Sequence, residues 1–135
     1  MQKEILWADA HIVCLQEVEE ESELHAFMRS QGYDGSKSRK PDPSRKDGPS
    51  TYYDKRRFAH VNTYLVPFNY KPESKTTHKE MYMKGNVCLI TVLERKSNKN
   101  HLFIIANTHL NFNTGRGDIK LAEIKVLTDT LAEIK

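Results

Sequence analysis

The chain holds little cysteine. Cys14 and Cys88 are its only two among 135 residues, and each lies inside an apolar run. That argues against a disulfide scaffold. It fits two buried, reduced thiols acting as small hydrophobes in a reducing intracellular setting, cytoplasmic with the nucleus as the alternative. Long hydrophobic runs are missing too: none approaches the roughly 18 residues of a membrane span, so no membrane partner is expected. Lys3, Glu4, Asp9 and Glu17 interrupt the N-terminal stretch, and no secretion-signal pattern emerges there. Of the six histidines (His11, His25, His60, His78, His101 and His109), none stands at zinc-site spacing from another His or a Cys. The sequence contains no P-loop, no GxGxxG fingerprint, no internal repeat and no cysteine in a nucleophile's pattern.

What remains is ordinary globular material. A hydrophobic share of 38% with 29% charged residues excludes a disordered chain, and the length suits one compact core rather than two. The net charge of +3 conceals an asymmetry. Residues 1–36 carry two basic and eight acidic side chains, whereas residues 37–57 carry eight basic and three acidic. Such a basic block can follow a polyanion like a nucleic-acid backbone. A solvated loop kept soluble by Lys and Arg accounts for the charge more simply.

Residues 2–9 suggest one or two helical turns around Ile5, Leu6 and Trp7. HIVCL, β-branched and continuous, reads as a buried strand. Ser22 is placed to cap a helix running to about Gln31, with Leu24, Phe27 and Met28 on one face and Gly32 at its end. Residues 34–50, with Pro41, Pro43 and Pro49 beside Gly35 and Gly48, read as a basic flexible loop within a single domain spanning 1–135. STYY, DKRR and FAHVNTYLV follow as strand, turn and strand. Residues 67–84 are an excursion between strands. VCLITVL and LFIIANT flank ERKSNKNH, a loop between antiparallel neighbours. Leu121, Ile124, Leu127, Leu131 and Ile134 form an apolar stripe on a final helix, with Lys120, Glu123 and Glu133 turned outward. The fold class is mixed α and β (α/β or α+β) with buried sheets.

Two strands finish oddly. IVCLQE ends in Gln16 and Glu17, and FIIANTH ends in Asn107, Thr108 and His109. A carboxylate at a strand's mouth is a rigid oxygen ligand for a hard cation, and an imidazole there can meet a phosphate oxygen. Each also has a plain account. Glu17 opens an acidic run of the kind that decorates solvated surfaces, and a lone strand-end histidine is commonly structural. The RGD string at 116–118 has no secretory context for an adhesion role.

The stretches IVC-LQEVE, DG-x₃-YYDKRRF, IIANTHL and GRGDIKLAEI, in this order, resemble the endonuclease/exonuclease/phosphatase superfamily. Within it they are most similar to the branch of carbon-catabolite-repressor-type deadenylases, nocturnin and angel proteins, and the RGDIKLA run leans toward angel. The resemblance implies a metal-dependent phosphodiesterase acting on RNA 3′ ends, with poly(A) as a candidate tail. Its cofactor would be Mg²⁺, with Mn²⁺ as the alternative. Glu17 would bind the metal, His109 would contact the scissile phosphate, and Arg116 would meet phosphate as a substrate-binding residue. Other functions within reach are a non-catalytic RNA-binding module and a 2′,3′-cyclic phosphate hydrolase.

The departures from the family pattern are specific. Thr114 and Gly115 stand where the family carries Pro and Arg, and Pro49 and Ser50 stand where small apolar residues or Cys are usual. An N-terminal metal-holding Asn, a Gly-Asp-x-Asn motif and a final Asp-His pair find no match; Gly117-Asp118 continues into Ile119 and Lys120. The resemblance therefore implies about the first half of a two-sheet β-sandwich flanked by helices. Such a half would expose an apolar face, self-associate or be completed by another chain, and be inactive or weak by itself.

Overall fold

The computed structural model describes residues 2–68 and 85–134. Its elements run α1 (Gln2–Ala8), β1 (Ile12–Glu19), α2 (Glu23–Ser30), β2 (Tyr33–Lys37), β3 (Asp47–Asp54), β4 (Phe58–Pro67), β5 (Val87–Arg95), β6 (Asn98–Thr108) and α3 (Gly117–Glu133). Among the described residues they build two antiparallel three-stranded sheets, β1-β3-β2 and β4-β5-β6. The α+β sandwich expected from the sequence is thus present.

The central strands show why these sequences became strands. Val87 to Leu93 of β5 are all buried, because both faces of that strand are covered. Cys88 and Ile90 face α3, packing with Val126, Leu127 and Leu131, while Leu93 faces Tyr53 of the other sheet. β3 is covered likewise: Tyr52 packs under Leu24 and Met28 of α2 and Ile5 of α1, and Tyr53 turns toward β5. Helices therefore lie outside and the sheets meet inside. Ser22 caps α2, its hydroxyl accepting from the Leu24 amide, and Gly32 ends it at φ +88°.

Four expectations need correction. The loop expected over 34–50 is narrower, spanning residues 38–46, because β2 reaches Lys37 and β3 starts at Asp47. Glycine misled the reading: Gly48 is a strand residue packed so closely on the Ser38 carbonyl that no Cβ fits between them. The turn in ERKSNKNH is only Lys96–Ser97, the flanking residues belonging to β5 and β6, where Arg95 pairs with Asn98 and Glu94 with Leu102. Cys14 is exposed, whereas Cys88 is buried, its thiol pushed up to about 11 by burial.

The fourth correction concerns α3. Leu121 is 70% exposed and Ile124 42%, whereas Ile119 and Glu123 are buried. Glu123 can occupy a core position because its carboxylate accepts from the Asn86 side chain at 2.9 Å and the Asn111 backbone N–H at 2.8 Å. The expected excursion over 67–84 lies, from residue 69 onward, outside the described residues.

Candidate active site

β1 does not run straight to Glu17. Leu15 pairs with Ser50 and Val18 with Gly48, so Gln16 and Glu17 together oppose the single residue Pro49. Pro49 faces β2, its carbonyl accepting from the Ser38 N–H at 3.1 Å, so its missing N–H takes nothing from the β1 pairing, where the extra residue makes a β-bulge. Glu17 takes the strain, adopting φ +56° in the left-handed region. The bulge sends its carboxylate out of the sandwich, 54% exposed.

Gln16 stays on the inward face and ties the sheets together. Its Nε2 donates to Asn107 Oδ1 at 2.8 Å, across 91 residues of chain. Asn107, 2% exposed at the tip of β6, donates through Nδ2 to the carbonyls of Leu15 and Ser50, both at 3.0 Å. One buried amide thus fixes β6 against β1 and β3 beside the bulge. Two residues on, His109 leaves the strand and places Nδ1 3.5 Å from Glu17 Oε1, with half of its side chain exposed.

These two side chains open onto a pocket of about 310 Å³, lined also by Lys40, Asp42, Arg45, Asn86, Asn111 and Phe112. Lys40 Nζ lies 3.7 Å from Glu17 Oε1 and 3.0 Å from Asp47 Oδ2. Arg45 pairs with Asp47 at 2.8 Å, and that bond, with the nearby Lys40, holds the Asp47 carboxyl well below the usual carboxylate range. Arg39 donates to the carbonyls of Arg45 and Pro43, so the basic loop is folded by its own charges. The result is a shallow, mixed-charge cleft in which a phosphate finds cations and an imidazole, and a cation finds a carboxylate.

No family model matches the chain. It is 32% identical over 159 residues to carbon catabolite repressor protein 4 homolog 2 of Arabidopsis thaliana, covering 98% of this chain and 26% of that one. Protein angel homolog 2 of Bos taurus is 33% identical over 141 residues, covering 98% and 23%. Among solved structures, ANGEL2, a 2′,3′-cyclic phosphatase bound to adenosine-2′,3′-vanadate, superposes with TM-score 0.82 and 29% identity over 98% of this chain and 37% of that one. The human nocturnin catalytic domain with bound sulfate gives 0.78 and 26%, covering 98% and 48%. The chain belongs to the endonuclease/exonuclease/phosphatase superfamily, in its carbon-catabolite-repressor, angel and nocturnin branch. It spans about a quarter of the length of the curated relatives it matches, and so represents part of the superfamily domain.

Against that background the expected site residues divide. Glu17 and His109 meet. Arg116 is placed apart from them: it forms a two-bond pair with Asp118 at 3.0 and 2.9 Å and does not line the pocket. That pairing draws the Asp118 carboxyl down to about 2. Among the described residues no three His, Cys, Asp or Glu side chains form a ligand set. The donors present still suit a hard cation such as Mg²⁺, which takes one or two protein carboxylates and completes its shell with phosphate oxygens and water. Glu17 would be that carboxylate, and the approach of Lys40 Nζ marks its free side as a place favourable to positive charge.

Sequence reasoning missed Lys40, Arg45, Asn86, Asn111 and Phe112. Lys40 and Arg45 lay in the basic block without distinction from its other cations. Asn111 and Phe112 directly follow the His109 motif, and that adjacency was the available signal. Phe112, 81% exposed at the pocket, presents a ring on which a base can stack.

Proposed function

We propose that this chain is part of a divalent-metal-dependent phosphodiesterase acting on RNA 3′ ends. The observation that supports this best is the meeting of Glu17 and His109 at 3.5 Å from the ends of strands in two different sheets. Glu17 would hold the metal, Mg²⁺ or Mn²⁺, whose charge would help neutralise the phosphate. His109 donates to a non-bridging oxygen of the scissile phosphate and stabilises the charge that grows there as water attacks phosphorus and the ester oxygen leaves. Lys40 adds positive potential on the far side of Glu17, and Phe112 supports the terminal base. Arg116, held by Asp118, contributes to the electrostatics of RNA approach rather than to the reacting phosphate. Exposed Trp7, Leu102 and Leu121 favour self-association or completion by a second polypeptide.

A second reading is hydrolysis of a terminal 2′,3′-cyclic phosphate, favoured by the 0.82 superposition on a 2′,3′-cyclic phosphatase. Both are tested together with 5′-labelled oligoadenylates ending either in a 3′-hydroxyl or in a cyclic phosphate, incubated with Mg²⁺. Wild type should shorten or open one of them, and Glu17→Ala and His109→Ala should each lower that rate by about 100-fold or more. Light scattering on the same samples reports the assembly state. Equal traces from all three proteins remove the enzyme and leave an RNA-binding module of the same family.

A further inference from the structure

The pocket contains a polar group with nothing to bind. Asn111 is 3% exposed, and among the described residues its Nδ2 is a buried donor without a hydrogen-bond partner. The backbone N–H and the side-chain oxygen of the residue are engaged. Its backbone N–H donates to Glu123 Oε2 at 2.8 Å, and its Oδ1 accepts from the Asn113 N–H at 3.0 Å. The second bond fixes which side-chain atom is oxygen: an amide flip would set two donors against each other. Among the described residues both N–H bonds of Nδ2 are therefore unmet, in a residue that lines the cleft with Glu17 and His109.

An orphaned buried donor is costly, so such groups are commonly tolerated where an absent ligand supplies the acceptor. We propose that Asn111 is a substrate-binding residue whose Nδ2 donates to a phosphoryl oxygen of the nucleotide held beside His109. This rests on the RNA phosphodiesterase reading and deepens it. Phosphate is the favoured acceptor because the neighbouring Lys40, Arg45 and His109 select for an anion, and Nδ2 offers donors only. A neutral amide donor adds direction without adding charge, complementing the cations, which attract phosphate without orienting it. Glu123 is the positioning residue in this arrangement. Buried and bound to both Asn86 and Asn111, it holds the 109–113 segment against α3, which explains a carboxylate in the helix's core-facing stripe.

The test is Asn111→Asp, which keeps the shape and the acceptor for Asn113 while replacing the donor with an oxygen. Asn113→Asp is the charge-matched control, since Asn113 is exposed and does not line the pocket. Binding of adenosine 5′-monophosphate and of a short oligoadenylate is measured by calorimetry on the whole chain with Ca²⁺ present. Asn111→Asp should weaken both by about 10–100-fold, and Asn113→Asp by less than about threefold. Wild-type protein labelled with ¹⁵N gives a second readout independent of any variant: the Asn111 side-chain amide signals should move as adenosine 5′-monophosphate saturates the pocket. Equal affinity in Asn111→Asp, or amide signals that stay still while the His109 ring shifts, overturns the inference alone. Failure of the wild type to bind either probe overturns it together with the RNA reading.

Discussion

Replacing Asn107 tests whether the two sheets are locked at the site as described. The three shortest hydrogen bonds of its side chain, all buried or part-buried, run to Gln16 at 2.8 Å and to the Leu15 and Ser50 carbonyls at 3.0 Å, with a longer one to Thr51 Oγ1 at 3.4 Å. Each is worth about 1 kcal/mol net, and Asn107→Ala also leaves a small void, so the loss should be about 3–4 kcal/mol. That is a large fraction of a stability of about 5–15 kcal/mol. In urea, with a slope of about 1–3 kcal/mol/M, the unfolding midpoint should fall by roughly 1–4 M. Asn107→Asp is the sharper probe. It preserves the acceptor for Gln16 but turns an oxygen toward two carbonyl oxygens, so it should destabilise at least as much as Ala and increasingly as pH rises and the acid ionises. A double-mutant cycle with Gln16→Ala should return a coupling of about 1 kcal/mol. A loss under about 0.5 kcal/mol for Asn107→Ala, or strict additivity in the cycle, would show that this amide does not hold the sheets and that the Glu17–His109 approach has another origin.

Two further outcomes are expected. Because Glu17 sits at φ +56°, Glu17→Gly should be more stable than Glu17→Ala by about 0.5–1 kcal/mol by urea melts, reversing the order normal within a strand; the normal order would refute the strained bulge. Asp54 is buried, and a two-bond contact with Arg56 lowers its carboxyl to about 2, so its stabilisation of about 1–2 kcal/mol is present above the unfolded value near 3.8 and is lost as pH falls through about 2. Asp54→Asn should flatten the acid limb of a melt-temperature profile in that window, and an unchanged limb would assign acid sensitivity elsewhere.

Much of this fold was legible because its central strands are covered on both faces and so read as unbroken apolar runs. VCLITVL is the clearest. The site was legible as two strands ending in polar groups, and the structure brings those ends together. What escaped depended on partners distant in sequence. Glu123 resembles a solvent-facing helix residue until Asn86 and Asn111 are seen to satisfy its carboxylate. The stripe through Leu121 and Ile124 was misplaced because the true stripe runs through this charged residue. Lys40 and Arg45 differ from their basic neighbours through Asp47, which gathers both, and Lys40 also through Glu17. Arg116 and Asp118 were adjacent in plain view, yet their mutual pairing shows only when the turn into α3 sets the two side chains side by side.

The bulge in β1 carries the logic of the site furthest. In a regular strand Val13, Leu15 and residue 17 share one face, and here that face packs beneath Leu24 and Met28 of α2. Without the extra residue, Glu17 would lie in that apolar cluster, where an unpaired carboxylate costs several kcal/mol or surrenders its charge. With it, Val18 moves into the vacated core position at 9% exposure, and Glu17 is turned out toward His109. Pro49 is no obstacle to the exchange, since it faces β2, where its carbonyl accepts from the Ser38 N–H, and its missing N–H takes no ladder bond from β1. A single irregularity therefore fills the core and frees the carboxylate. The residue that departs from the family pattern in β3 lies opposite the bulge without weakening the β1 pairing, so Pro49 reads as compatible with the site rather than as damage to it.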